Sequence, residues 1–331
     1  MHCLGLYALA AAMLPLTSLR AVEPKSLVKE RAFKQLTEPP CSYCVNQNRK
    51  GLLGPNERVL AWVRGAHNGG AFPLRHFIAA PRVINDTYGI FFYDPDGGYV
   101  AGYKKDYGYE FHGWRSGVMT VKHKDGTVFS ALSGLGLEGP RKDARLPRIP
   151  TMLTNWGHWL MLHPESTAYD LFDGTKYPMA ELPVSVSGEA KETMNDPDRR
   201  LPVESMVVGL EAGDARLAVP VDFSKERDCF NVEAGGKPVA VFVYGLTQSA
   251  IAWERNIAGQ TLTFYADQIS PETAPFKDKE TGTRWTLAGR GVDGPLRNQE
   301  LTWAPSIACK WYAWCAENPG TEVYAKRAIE K

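Results

Sequence analysis

Cys41 and Cys44, in the stretch Cys41-Ser42-Tyr43-Cys44, are the residues whose type and spacing point most directly to chemistry. Their sulfurs converge across one turn. The pair can chelate a soft transition metal such as zinc or copper, cycle as a dithiol, or close a structural disulfide. One such pair supplies half of a tetrahedral zinc site, so further ligands must come from elsewhere. Imidazole is the natural complement. His76 follows Ala71-Phe72-Pro73-Leu74, and His112 precedes Gly113-Trp114, a glycine-containing bend where backbone can approach a ligand. His67 in a polar turn, His158 between two tryptophans and His163 just before a proline are weaker candidates.

Carboxylates form the second set. Asp94 and Asp96 flank Pro95 and can hold a hard cation or act as an acid/base pair, although the ordinary role of such a pair is a solvated turn. Asn85-Asp86 reads as a strand-entry turn that can form a site rim. His76, Asp86, Asp94, Asp96 and His112 are therefore the expected ligand-binding residues, with Cys41 and Cys44 as the expected metal ligands. Tyr103, Tyr107, Tyr109, Phe111 and Trp114 can stack on flat ligands where exposed, but their period-two spacing fits the core face of a strand. Gly-x-Ser-x-Gly, His-Glu-x-x-His and the phosphate-binding Gly-Lys-Ser/Thr loop do not occur.

The elements that must position these residues come in two sets. Leu132-Ser133-Gly134-Leu135-Gly136-Leu137-Glu138-Gly139-Pro140 returns as Leu287-Ala288-Gly289-Arg290-Gly291-Val292-Asp293-Gly294-Pro295, an offset of 155 from Gly134 to Gly289. The same offset aligns Trp156 and Trp159 with Trp311 and Trp314, and Pro164 with Pro319. Upstream, Ala71-Phe72-Pro73-Leu74 aligns with Ala218-Val219-Pro220-Val221 at an offset of 147. Trp is rare, and two Trp pairs at fixed spacing argue for duplication.

The expected organisation is a signal peptide over 1–22, an N-terminal segment with the Cys pair over 23–56, a first copy over 57–172, a linker with one short helix over 173–202, and a second copy over 203–326. Val59 to Val63, Gly89 to Tyr93, Tyr107 to Phe111, Val118 to Phe129 with a turn at Lys124-Asp125-Gly126-Thr127, Val239 to Tyr244 and Thr261 to Tyr265 read as strands and hairpins. The Trp pairs, three residues apart, share a helix face, and Pro164 and Pro319 end each helix. The fold class is α+β or mainly β: two tandem diverged copies of one β-rich module, each closed by a Trp-bearing helix.

This pattern resembles the exported bacterial and archaeal domain-of-unknown-function family 3179. The second copy carries it best, in Asp278 to Trp285, Gly289 to Leu296 and Trp311 to Tyr324, and the first adds Ala71 to Leu74 and Ile84-Asn85-Asp86. The resemblance implies a fold unit and an exported life, and carries no reaction with it. Many members have a Cys-Pro-x-Cys-Gly turn where this chain reads Asp94-Pro95-Asp96-Gly97-Gly98, so whatever a thiol pair does there does not transfer.

Export is expected independently. The apolar run from Leu4 to Leu16 is shorter than the about 20 residues that span a bilayer and suits a secretory leader, with a small residue at Leu19-Arg20-Ala21 for cleavage. No Lys or Arg precedes the run, and no later stretch is long and apolar enough to anchor the chain. Removing the leader leaves five cysteines, Cys41, Cys44, Cys229, Cys309 and Cys315, an odd count for an oxidising compartment. Lys+Arg (38) and Asp+Glu (37) nearly cancel, which removes the electrostatic basis for nucleic-acid or membrane-surface binding.

Together these readings predict a secreted or periplasmic two-module protein that binds a small molecule or metal, with its site in the first copy. A degenerate second copy, lacking counterparts of His112 and Asp94, would serve as scaffold. The rivals are a periplasmic metal-dependent hydrolase or oxidoreductase, and a structural or assembly protein without a small-molecule site.

Overall fold

Short runs of aromatic and β-branched residues, many of them bounded by Gly, Pro or Asp, build a mainly β protein. The computed structural model describes residues 23–30, 32–33, 35–38, 45–46, 53–63, 69–75, 82–169, 185–196 and 198–325. The expected leader and Cys41, Cys44, His67 and His76 lie outside these residues.

Segments 57–172 and 203–326, here called the first and second halves, contain sheets of the same plan. In the first half Thr151–Asn155 pairs antiparallel with Arg58–Val63, which pairs antiparallel with Gly69–Pro73, which pairs parallel with Thr167–Ala168. In the second half Ser306–Lys310, Met206–Ala212, Ala215–Pro220 and Glu322–Val323 pair in the same order and the same directions. A three-stranded antiparallel meander follows in each: Val83–Asp86, Gly89–Asp94 and Tyr99–Tyr103, then Arg227–Ala234, Lys237–Tyr244 and Ser249–Glu254. A further antiparallel sheet completes each set: four strands from Tyr109–Arg115 to Gly136–Glu138, extended to five by Ser26–Val28 on the edge, and four strands from Phe264–Ala266 to Gly291–Asp293.

The glycine-rich turns have a steric cause. A Cβ on Gly136 would lie 2.1 Å from the Arg141 carbonyl oxygen, and one on Gly291 would lie 2.3 Å from that of Leu296. No side chain fits at either position, because backbone is the obstacle.

Two expected strands come out differently. The strand expected from Tyr107 starts at Tyr109. Thr261 to Tyr265 divides: Gln260–Thr261 folds back on Asn256–Ile257 through Ala258 and Gly259, both at positive φ, while Phe264–Ala266 joins another sheet. A tight local turn outcompetes strand continuation there.

Three short helices are described: α1 (Trp156–Leu162), α2 (Gly188–Thr193) and α3 (Trp311–Glu317). Seven residues are too few for a helix to stand alone in water, so packing must hold α1 and α3. Each ends alike: the N–H of His163 donates to the Trp159 carbonyl at 2.8 Å and that of Asn318 to Trp314 at 3.0 Å, one residue before a proline.

The packing crosses between halves. Trp311 and Trp314 of α3 share a core with Ile90, Phe92, Tyr99 and Phe129 of the first half. Trp156 and Trp159 of α1 share one with Phe242, Phe264, Phe276 and Trp285 of the second. The expectation that each sheet is covered by its own helix therefore needs amending, since each helix is also a core element of the opposite half. The other face of each first sheet packs within its own half, as in the stack of Trp62 on Phe72 at 4.9 Å. No described helix is long and apolar enough to cross a membrane.

Candidate functional site

Asp94 and Asp96 sit where the strands Gly89–Asp94 and Tyr99–Tyr103 turn, and both are buried. The Asp96 N–H donates to Asp94 Oδ1 at 3.1 Å. Arg82 Nη1 lies 3.3 Å from Asp96 Oδ2 and 3.8 Å from Asp94 Oδ1. The Ser187 N–H donates to the other Asp96 oxygen at 2.7 Å, tying the turn to the residues that lead into α2. The Arg82 guanidinium lies over Phe33 at 4.2 Å and Trp114 at 5.6 Å. Burial, reinforced by Asp96 and opposed by Arg82, pushes the Asp94 carboxyl up to about 6. This is an internal ion cluster that joins elements together, not an open turn.

The other expected residues do not converge on it. Asp86 accepts the Tyr88 N–H at 3.0 Å, at the far end of the hairpin strands. Five residues of strand separate that end from Asp94, roughly 17 Å at about 3.3 Å each. His112 occupies a bulge between Phe111 and Gly113, with Nδ1 3.6 Å from Glu30, and burial holds its pKa below the usual imidazole value. Its neighbours Phe111 and Trp114 face Arg82 instead.

A cavity of about 250 Å³ lies where the halves meet. Its apolar wall includes Val100, Met152 and Leu153 from the first half and Ala250, Ile251 and Ala308 from the second. Thr151 with Ser306 and Leu153 with Ala308 are counterparts at the 155 offset, so corresponding strands face the cavity from both sides. In the matching hairpin turns, Gly98 at φ +66° and Gln248 at φ +47° also line it. Gln248 holds a left-handed conformation that a side chain makes costly. Tyr93, Thr151, Asp222, Gln248 and Ser306 supply the polar groups of the wall.

Beside this cavity is a polar corner where the halves diverge in chemistry. Arg58 opens the strand Arg58–Val63 and donates through Nη1 to Asn155 Oδ1 at 2.7 Å and to the Thr247 carbonyl, next to the cavity-lining Gln248. Its Nε and Nη2 are shielded from solvent and make no hydrogen bond. Arg82, Arg148, Arg227 and Arg255 each meet a carboxylate. Arg58 meets none among the described residues, and an uncompensated buried charge costs on the order of 3–5 kcal/mol. Burial lowers its pKa to about 10, with Tyr93 on the cavity wall acting against that, so Arg58 stays charged at neutral pH.

His158 of α1 completes the corner. Its Nδ1 faces the hydroxyls of Thr154 at 3.1 Å and Thr247 at 3.3 Å, and its ring stacks on Tyr244 at 4.8 Å. Thr247 Oγ1 lies 2.8 Å from Ser249 Oγ. Nδ1 thus has two hydroxyl partners, while Nε2 is a buried atom without a hydrogen bond. Burial pushes the imidazole pKa down to about 4.

Among the described residues, no group of three or more His, Cys, Asp and Glu side chains is placed to hold a metal ion. Cys309 and Cys315 are free thiols. Burial pushes Cys309 well above the usual thiol range and Cys315 up to about 11, so neither is a ready thiolate.

Sequence reasoning passed over Arg58, Tyr93, Thr247 and Ser249. A lone Arg at a strand start and hydroxyls in a turn make no motif. The available signal was a break in the internal match. Arg58, opposite Asn155, corresponds to Met206 opposite Lys310, and His158 corresponds to Ala313.

A family model described as a protein of unknown function (DUF3179) matches residues 113–326. No curated protein and no solved structure matches the chain.

Proposed function

The chain belongs to the DUF3179 family, and we propose that it is an exported binding protein that holds a small, mainly apolar molecule in the cavity between its halves. The cavity itself carries this reading. It is apolar, lies just below the usual ligand-pocket range of about 300–1,000 Å³, as suits a small occupant, and has a few polar groups to orient it. The strained Gln248 on its wall supports the reading, because backbone strain is retained where function uses it. The site belongs to both halves, which moves it from the first copy alone to their junction.

A tandem duplication underlies this arrangement. Support comes from the shared pairing order of the first sheets, the matched steric need at Gly136 and Gly291, and the equal offset of the Trp helices. The crossed packing of α1 and α3 makes each helix a closure for both halves. The leader sequence supports secretion or a periplasmic location.

The test is titration of the full-length protein, without its leader, with the neutral fluorophore N-phenyl-1-naphthylamine. Saturable binding, lost in Ala250→Phe and Ala308→Phe variants that keep their thermal transition, is expected. Equal binding by the wild type and both variants would remove the cavity from the account.

A further inference from the structure

We propose that the cavity takes a small apolar amine, whose ammonium group pairs with the Asp222 carboxylate at the rim while its apolar body fills the interior. This rests on the cavity being the binding site. Three observations carry it.

The first is the charge of the wall. Among the described residues that line the cavity, Asp222 alone carries a charge at neutral pH. Arg58 stands behind the Gln248 turn, outside that lining. Asp222 is exposed, and it also lines a shallower groove with Val221, Lys225 and Asp228, so it stands at the boundary between the cavity and the outside. Phe223, the next residue, and Tyr93 line the cavity too, and aromatic rings attract cations through their faces.

The second is the state of that carboxylate. Oδ1 accepts the Ser224 N–H at 2.9 Å and the Ser224 hydroxyl at 2.7 Å, while Oδ2 accepts no hydrogen bond from a described residue. The hydroxyl and the N–H of Ser224 together hold the carboxyl below the usual carboxylate range, so it stays ionised in neutral solution. Lys225 gives its ammonium to Asp228 Oδ2 at 3.3 Å. Asp222 is thus fixed through one oxygen and presents the other to a cation.

The third is the comparison between the halves. Pro220 corresponds to Pro73 at the offset of 147, which sets Asp222 against Arg75. Arg75 is spent inside its own half, where its Nε and Nη2 donate to the two oxygens of the buried Glu57. Glu57 precedes Arg58, the counterpart of Met206, so its own counterpart is Ser205. The second half therefore reverses the charge at this place and supplies no charged partner from position 205. The change sets an unbalanced carboxylate beside an apolar cavity, and an amine with an apolar body complements both.

The experiment is calorimetric titration of the full-length protein with 1-naphthylmethylamine, 1-naphthalenemethanol and 1-naphthoate, which share a ring system and are cationic, neutral and anionic at neutral pH. At low salt the wild type is expected to bind the amine about three- to fivefold more tightly than the alcohol, the scale of an exposed ion pair, and the acid more weakly than the alcohol. High salt should shrink the amine's advantage, because the pair is screened. Asp222→Asn is expected to abolish the order and leave the alcohol's affinity unchanged. Asp214→Asn, the same charge change at the turn joining Met206–Ala212 to Ala215–Pro220, at the far end of that hairpin, should preserve the order. Equal affinities for amine and alcohol in the wild type, an order that survives Asp222→Asn, or one that Asp214→Asn removes equally, would overturn the amine assignment and leave the cavity reading standing. Failure of all three compounds to bind would overturn the two together.

Discussion

His158 and Thr247, 89 residues apart, meet through the imidazole Nδ1 and the threonine hydroxyl at 3.3 Å. The contact joins α1 of the first half to a hairpin turn of the second. It also fixes the imidazole in a place where protonation is expensive, and that has a measurable consequence.

Burial pushes His158 down to about 4 from 6.5. Between those values the unfolded chain binds a proton that the folded chain does not, so stability falls as pH drops through this window, by on the order of 3 kcal/mol. Asp94 behaves oppositely. Its pKa is raised to about 6 from 3.8, so the folded state binds the extra proton, and stability present at low pH is lost as pH rises through about 6. Urea unfolding at pH 4 and pH 7 separates the two. Relative to His158→Gln, the wild type should lose stability on acidification, and relative to Asp94→Asn it should gain. Parallel profiles for all three proteins would show that neither group titrates differently in the folded state.

The crossed helices make a second prediction. Trp159 and Trp314 are buried in cores built largely from the opposite half. Trp→Ala at either position should cost about 3–5 kcal/mol. More specifically, either change should lower one common transition, followed equally by near-ultraviolet and far-ultraviolet circular dichroism. Two separated transitions, one of them unaffected by the substitution, would mean that the halves fold independently.

The strain at Gln248 gives a third. The matching turn of the first half has Gly98 at the same left-handed conformation. Gln248→Gly should therefore stabilise the protein by up to about 1 kcal/mol while weakening cavity binding, since the amide leaves the wall. A destabilised variant would show that the Gln248 side chain contributes more to folding than its backbone costs.

Much of the architecture is visible in the residues. The paired tryptophans and the Gly134-to-Pro140 turn with its counterpart at Gly289 to Pro295 mark the repeated elements, because bulky aromatics and sterically required glycines resist replacement. The site is less visible. Asp94 and Asp96 look like a ligand pair in sequence, yet Arg82 and Ser187 already satisfy much of what they offer. His112 occupies a bulge in a different sheet from theirs, which no periodicity encodes. The Arg58 corner is assembled from residues 58, 155, 158 and 247, which only the packing of two halves brings together. Cys41, Cys44 and His76 lie outside the described residues, and their part in metal binding stands as the expectation drawn from their spacing.

The central claim is that the space between the halves is a binding site. A crystal structure of the full-length protein grown with N-phenyl-1-naphthylamine tests it most directly. The account predicts electron density for the probe between Leu153 and Ala308, with Gln248 at its edge. Probe density confined to the outer surface, with the space between those two residues filled by side chains, would contradict it.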